Sequence, residues 1–335
     1  MLRKTGFFLV VLILVAGGFL ALNGYRHLYQ PLPVQTETEY YLAPGTSLKS
    51  LADQLHQLAI IDCPLCFEWY ARLTGLDARL QAGEYTIQPG QTAVDLLAAM
   101  RRGDVRQYSF TIIEGWTFYQ LRKALSENGN LEQDIPAGLD DSGVMALLGF
   151  PGQHPEGRFY PDTYHFPRGT TVSRFLLRAY QMMQSILDEQ WQQRSENLPL
   201  KNAYEALILA SIVEKETAVA DERPLIAAVF INRLRKRMRL QTDPTVIYGL
   251  GSRYDGDIRF RDLKKDTPYN TYTRGGLPPT PIAMPGKDSI HAVLHPTKSG
   301  VLYFVAKGDG SHYFSETLSE HNSAVNKYQR KRRPL

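Results

Sequence analysis

The chain predicts an α+β fold in three parts: a membrane-spanning helix, a small α+β module, and a larger mixed α/β domain carried mainly by helices. Three observations support this. The chain opens on an uncharged apolar run; short aromatic and β-branched stretches then alternate with Gly turns and helical periods to about residue 110; longer 3.6-residue periods dominate thereafter. With 335 residues, 43% hydrophobic and 21% charged, the composition is that of globular material, and the length allows two or three domains. A net charge of +4 is too mild to call for nucleic acid as a partner.

No charged residue occurs from Thr5 to Tyr25, and Phe7 to Leu22 is almost wholly apolar, enough at about 1.5 Å per residue to span a bilayer core. Arg3, Lys4 and the α-amino group precede it. By the positive-inside rule residues 1–25 are then a cytoplasmic N-terminus and single-pass anchor, and all that follows lies across the membrane. The competing reading is a cleaved signal peptide, but Ala21-Leu22-Asn23 is a poor small-x-small site. Residues 26–37 hold Pro31 and Pro33 without periodicity, so they read as a linker lifting the soluble part off the membrane.

Residues 38–110 contain an internal repeat. Pro44-Gly45-Thr46-Ser47 opens the helical pattern Leu48, Leu51, Leu55; Pro89-Gly90-Gln91-Thr92 opens Val94, Leu97; and Glu114-Gly115-Trp116-Thr117, just beyond, opens Leu121, Leu125. Each time a strand enters a Gly turn, a Ser or Thr sits where an N-cap belongs, and a helix follows. The strands are Tyr40 to Leu42, Glu84 to Gln88 and Tyr108 to Ile113. The pattern resembles the LysM-like module of cell-wall proteins, which implies either glycan binding or a spacer. Cys63 and Cys66 are the only cysteines. No thioredoxin-like pattern surrounds them, so they read as two small residues opening the helix Pro64 to Leu73, free to pair locally outside the cytoplasm.

Residues 111–335 form the larger domain. A short helix, Val144 to Leu148, interrupts a polar Gly/Pro-rich stretch. The run Glu156 to Phe166 then places Phe159, Tyr160, Tyr164 and Phe166 beside Asp162 and Thr163. Rings beside hydrogen-bonding groups suit a sugar; a loop pinned to the core by its rings is the plainer alternative. Helices follow at Thr171 to Glu196 and Asn202 to Thr217, and a further one, capped by Asp221 with Pro224 in its first turn, runs to Met238. Near the end, Val301 to Ala306 and His312 to Phe314 predict a hairpin about Gly308-Asp309-Gly310, with a helix from Glu316 to Tyr328.

Several chemistries find no support. The eight His are dispersed with no His-Glu-x-x-His, so no metal site is expected, and neither a serine elbow nor a phosphate or dinucleotide loop is present, so no cofactor is expected. One carboxylate stands out. On a helical wheel Ala206, Leu209, Ile212, Val213, Val219 and Ala220 share an arc with Glu216 at its middle, while Glu214 points away. An acid on a buried face is either a charge paired with Arg223, Arg233 or Arg235, or a desolvated carboxyl that keeps its proton near neutral pH. The second is what a general acid requires. A glycosidase built on it would need a second carboxylate, for which Asp243 and Asp162 are available.

The run Leu209 to Ala220, the segment Phe230-Ile-Asn-Arg-Leu234, and Leu240-Gln-Thr-Asp-Pro-Thr-Val-Ile-Tyr-Gly249 together resemble the endolytic murein transglycosylases. So do Tyr269-Asn-Thr-Tyr272, Gly276-Leu-Pro-Pro279 and Phe159-Tyr-Pro-Asp-Thr-Tyr164, and the resemblance covers roughly residues 40 to 325. It implies a lyase of the bacterial inner membrane with a periplasmic catalytic domain at 111–335 and peptidoglycan glycan strands as substrate. The second Glu of Glu-Lys-Glu-Thr, here Glu216, would be the catalytic residue, with Gln241, Asp243, Tyr248, Asn270, Tyr272 and Asp162 binding sugar. The implied reaction cuts between N-acetylmuramic acid and N-acetylglucosamine without water, leaving 1,6-anhydro ends, beside the synthases that polymerise new glycan. A muramidase-type hydrolase using Asp243 or Asp162, and a non-catalytic glycan-binding scaffold, are the alternatives. The five basic residues between Lys327 and Arg333 depart from the resemblance and read as a solvated tail or a contact with anionic lipid or wall polymer.

Overall fold

The computed structural model describes residues 2–76 and 80–330, less the side chains of residues 2–11, 13, 20 and 330. The chain divides into two compact units, Met1–Ser109 with His165–Gly169, and Phe110–Tyr164 with Thr170–Leu335.

The first unit begins with α1 (Leu2–Tyr29). Most of the expected anchor's side chains lie outside the described residues, and among the described residues no helix is long and apolar enough to cross a membrane. The stretch expected as a linker starts inside α1. Leu28 and Leu32 are buried in the unit's core, and the amide of Leu32 donates to Gln91 O at 2.7 Å, so this stretch is packed rather than free.

Strand β1 (Thr38–Leu42) follows, then α2 (Leu48–Gln57), α3 (Pro64–Thr74), strand β2 (Gly83–Ile87) and α4 (Ala93–Arg102). β1 pairs antiparallel with β2, Tyr40 opposite Tyr85. The repeated turn has the local chemistry its residues dictate: Ser47 and Thr92 each accept the amide three residues on, and Asp95 closes a capping box on Thr92. Leu51, Leu55, Phe67, Tyr85, Ile87 and Met100 are buried together, each contributing about 1.5–3 kcal/mol of burial. Cys63 and Cys66 form a disulfide at the first turn of α3, where Cys63 Sγ accepts the amide of Cys66.

β3 (Gln107–Thr111) pairs with β4 (Thr163–Pro167), and the chain passes from one unit to the other within these strands. The return of residues 165–169 to the first unit has a charge to explain it: Arg168 pairs at 2.9 Å with the buried Glu84, which also accepts the Tyr108 hydroxyl. An unpartnered carboxylate there would be strongly destabilising.

The second unit holds α5 (Phe118–Ser126), α6 (Asp141–Leu147), α7 (Val172–Gln192), α8 (Ala203–Glu216), α9 (Arg223–Arg235), α10 (Asp243–Leu250), α11 (Phe260–Lys264) and α12 (Lys287–Leu294). The hairpin β5 (Tyr303–Ala306) and β6 (His312–Ser315) pairs Phe304 with Phe314, and α13 (Leu318–Val325) ends in one π turn at Asn326–Arg330. Residues 331–335 of the basic tail lie outside the description.

α8 is the axis of this unit. Eight consecutive residues, Ala206 to Val213, are buried, packed among α7, α9 and α12. The wheel therefore understates its burial: the faces opposite the expected arc are covered too, while Val219 and Ala220 lie beyond the helix and outside the core. The aromatic run at 156–166 is drawn inward. Phe159, Tyr164 and Phe166 are buried, with Phe159 stacked on Phe118 at 5.2 Å, so these three rings face the core, while Tyr160 is only partly buried. Gly157 adopts φ +75°, and a Cβ there would come within 2.4 Å of Pro281, so only Gly admits the Pro-rich segment so close.

Candidate active site

Glu216 is the last residue of α8, which Asn202 caps at its other end. The helix emerges at a cleft of about 540 Å³ lined by Glu216, by Arg233 of α9, by Gln241 and Asp243 at the head of α10, by Tyr272, and by residues of β5, β6 and α13. The Glu216 side chain is half-buried. Its Oε2 accepts the Thr242 hydroxyl at 2.8 Å, and Oε1 takes no hydrogen bond among the described residues.

Burial pushes the Glu216 carboxyl up to about 7; the Thr242 hydroxyl pulls it down, the Asp243 carboxylate raises it, and His312 and Arg233 lower it. Its place at the C-terminal, negative end of α8 further disfavours the anion. None of the three arginines that could have made it a structural ion pair does so. Arg233 donates to Leu302 O and Leu240 O, each at 2.7 Å, Arg223 meets Asp288 at 3.4 Å, and Arg235 meets Asn197 O.

Thr242 is held by a buried hydroxyl network. Its amide donates to Thr271 Oγ1 at 3.1 Å, and the Thr245 hydroxyl donates to its carbonyl at 2.8 Å. The preceding Gln241 stands at φ +50°, left-handed backbone that a non-Gly residue seldom adopts, with its amide on Thr271 O. These bonds fix the turn from which the Thr242 hydroxyl reaches Glu216.

The other expected site residues separate. Gln241, Asp243 and Tyr272 line the cleft with Glu216, and the Tyr272 hydroxyl donates to Asp243 Oδ1 at 2.5 Å. Asn270 is buried behind the cleft. Its amide donates to Asp262 O, Leu263 O and Lys265 O, and its Oδ1 accepts the Tyr272 amide, so it holds the loop that carries Tyr272. Tyr248 and Asp162 are not among the lining residues. Asp162 is exposed just before β4, and Tyr248 donates at 2.9 Å to Glu156 Oε2. Glu214, whose face was expected to point away from the buried arc, accepts Gly286 N and Ser289 Oγ at 3.0 and 2.6 Å.

Three residues escaped sequence reasoning. Glu156 is 3% exposed, and burial pushes it up to about 7 although Tyr248 and the Phe118 amide hydrogen-bond it. An acid in an aperiodic loop carries no sequence sign of burial. Thr242 precedes Asp-Pro and so reads as an N-cap, yet it makes no side-chain cap bond and serves Glu216. His312 lines the cleft, its amide and Nδ1 both on the Glu222 carboxylate at 2.8 and 2.7 Å. Strand periodicity at β6 gives no hint of that pairing.

Residues 40–327 match the model of the YceG-like family. An endolytic murein transglycosylase of Bacillus subtilis is 32% identical, covering 94% of this chain and 91% of the relative. One from Streptococcus pneumoniae is 28% identical over 95% of this chain and 64% of the relative, so the chain spans under two thirds of that protein. The crystal structure of a yceG-like protein of Listeria monocytogenes superposes with a TM-score of 0.54 at 31% identity, covering 87% of this chain and 99% of the other.

Proposed function

The chain belongs to the YceG-like family, and on that premise we propose that it is an endolytic murein transglycosylase, a lyase that cuts peptidoglycan glycan strands within their length. The observation that carries this reading is the state of Glu216. It is a carboxyl desolvated to about 7, without an ion-pair partner among the described residues, held at one oxygen by Thr242 and lining a cleft large enough for sugar rings.

Near neutral pH such a group is protonated in a substantial fraction of molecules and can act as acid and then as base. Glu216 gives its proton to the oxygen bridging N-acetylmuramic acid and N-acetylglucosamine as the C1–O bond breaks. The C6 hydroxyl of the muramic residue attacks C1, and its proton passes to the Glu216 carboxylate. The bond formed closes a 1,6-anhydro ring, the acid is regenerated, and no water is consumed. Because the nucleophile belongs to the substrate, one carboxyl serves both transfers. Gln241, Asp243 and Tyr272 contact the sugars, and Asn270 positions Tyr272.

A second reading, hydrolysis by a muramidase, is favoured by one observation: Asp243 lines the same cleft and could serve as the second carboxylate. Digestion of purified cell wall separates the two. Anhydro-ended fragments support the lyase, reducing ends the hydrolase, and intact strands that retain the protein overturn both.

We further read the uncharged stretch Thr5 to Tyr25 as a single-pass anchor in the bacterial cytoplasmic membrane, with the second unit on its outer side. The first unit is then a LysM-like module, and a tether of this kind confines the cleft to a band above the bilayer where synthases lay down new strands.

A further inference from the structure

Three exposed apolar residues of α3 stand out from the rest of the surface. Leu65, Trp69 and Leu73 are 66%, 60% and 80% exposed, and their i, i+4, i+8 spacing places them on one face. The only charged residues of α3, Glu68 and Arg72, pair at 3.0 Å with Glu68 buried, so that face carries no unpaired charge.

The stripe lies beside the end of α1. The Tyr29 and Tyr70 rings meet edge to face at 6.2 Å, and a Cβ on Gly24 would come within 3.7 Å of Cys66 Sγ. An open, almost wholly apolar groove of about 350 Å³ between the two helices takes in Gly24, Tyr25, Tyr29, Cys66, Trp69 and Leu73. The first turn of α3 thus stands level with Gly24 and Tyr25, where the uncharged stretch of α1 ends, and Trp69 sits about one turn farther on. Leu12, Val15, Phe19 and Leu22 continue the exposed apolar surface along α1.

We propose that this face of α3 is a second membrane contact, with Leu65, Trp69 and the neighbouring Tyr25 and Tyr29 lying in the interfacial layer of the bilayer that α1 enters. The proposal rests on the anchor reading above. Its occupant is lipid rather than protein because the stripe adjoins a helix whose own exposed apolar side chains need the same solvent. Its level matches the depth at which Trp and Tyr settle, ring in the acyl boundary and polar edge among headgroups. Leu28 at the end of α1 and Leu32 just beyond it pack into the core of the first unit, which joins the helix to the body that carries α3, so in this proposal the unit rests on the membrane surface instead of hanging from a flexible spacer.

The full chain carrying Trp116→Phe and Trp191→Phe keeps Trp69 as its single tryptophan. It is reconstituted in phosphatidylethanolamine and phosphatidylglycerol vesicles containing lipid brominated either near the headgroup or near the chain terminus. We expect the shallow bromines to quench Trp69 emission at least twofold and the deep ones distinctly less. A chain that floats with the vesicles while Trp69 is unquenched by either lipid but open to aqueous acrylamide leaves the anchor standing and overturns the interfacial contact. Shielding from both bromine and acrylamide assigns the stripe to a protein partner, which also overturns it. A chain that does not float with vesicles overturns the anchor and this proposal together. Should the double variant fail to fold, Leu65→Cys bearing an environment-sensitive fluorophore, with all tryptophans kept, gives the same readout.

Discussion

Glu216 and Glu156 are two carboxyls of one unit that burial pushes to the same value, about 7, and they differ in what their oxygens meet. Both Glu156 oxygens accept fixed donors, the Phe118 amide and the Tyr248 hydroxyl, and the side chain is sealed. Glu216 has one such donor among the described residues, Thr242, and its partly exposed side chain lines a cleft. Desolvation alone therefore marks a carboxyl that can hold a proton, whereas access decides whether it can pass that proton to a ligand.

The sharpest test of this contrast is a pair of isosteric substitutions. Glu216→Gln is expected to lower strand cleavage by about 10³-fold or more with the fold and glycan binding retained, since it removes the acid and the base together. Glu156→Gln should stay within about tenfold of the parent, measured as fragment release from purified wall. A folded but inactive Glu156→Gln chain would erase the distinction. Glu214→Gln should likewise remain active, because its carboxylate accepts the Gly286 amide and the Ser289 hydroxyl and does not line the cleft.

Asp243→Asn comes next in size. Asp243 raises the Glu216 carboxyl, so its loss should move the alkaline limb of the rate profile to lower pH and cost less than about tenfold at the optimum. A loss beyond about 10²-fold would favour the hydrolase, in which Asp243 is the second carboxylate. Thr242→Val should act in the opposite direction on pH. Removing a hydrogen bond that lowers the Glu216 carboxyl shifts the alkaline limb upward, with a several-fold loss of rate from the freed side chain.

Stability gives a smaller, separable signal. Both carboxyls have folded values raised from 4.5 to about 7, so the native state binds more protons than the unfolded chain between those limits. The protonated forms contribute fully below about 4.5, and the contribution is lost as pH rises through about 7. Urea midpoints of the parent should fall across that window. Glu156→Gln, which cannot ionise, should be more stable than the parent at pH 8 by roughly 1–3 kcal/mol and nearly equal at pH 5. Tyr248→Phe, which removes one donor from Glu156, should cost about 1 kcal/mol while leaving cleavage unchanged.

Local signals in the chain were legible where the chemistry is local. Ser47, Thr92 and Thr117 each cap a helix as their Gly-turn setting indicated, and the Gly308-Asp309-Gly310 hairpin formed in place. Glu216 could be picked out as an acid in register with the apolar face formed by Ala206, Leu209, Ile212 and Val213, although Val219 and Ala220, counted on the same arc, lie beyond the helix. The aromatic run at 156–166 left two readings open because ring-rich loops look alike whether the rings face a ligand or the core, and tertiary packing took Phe159, Tyr164 and Phe166 inward. Residues 26–37 read as a spacer because Pro31 and Pro33 break periodicity, but a broken period does not say whether Leu28 and Leu32 find a core.

What the sequence determined by itself was the order of helices and turns and an apolar helix ending on an acid, since propensity, capping and periodicity act over a few residues. Only the tertiary structure decided the surroundings of that acid: which oxygen Thr242 holds, that Arg233 goes to backbone carbonyls instead, and that Glu156 shares its pKa without its access. Those facts depend on pairs as far apart in the chain as 26 residues for Thr242 and Glu216, 69 for Arg233 and Leu302, and 92 for Tyr248 and Glu156. Hydrogen bonds and desolvation act over a few ångströms in space, a distance that linear order does not encode.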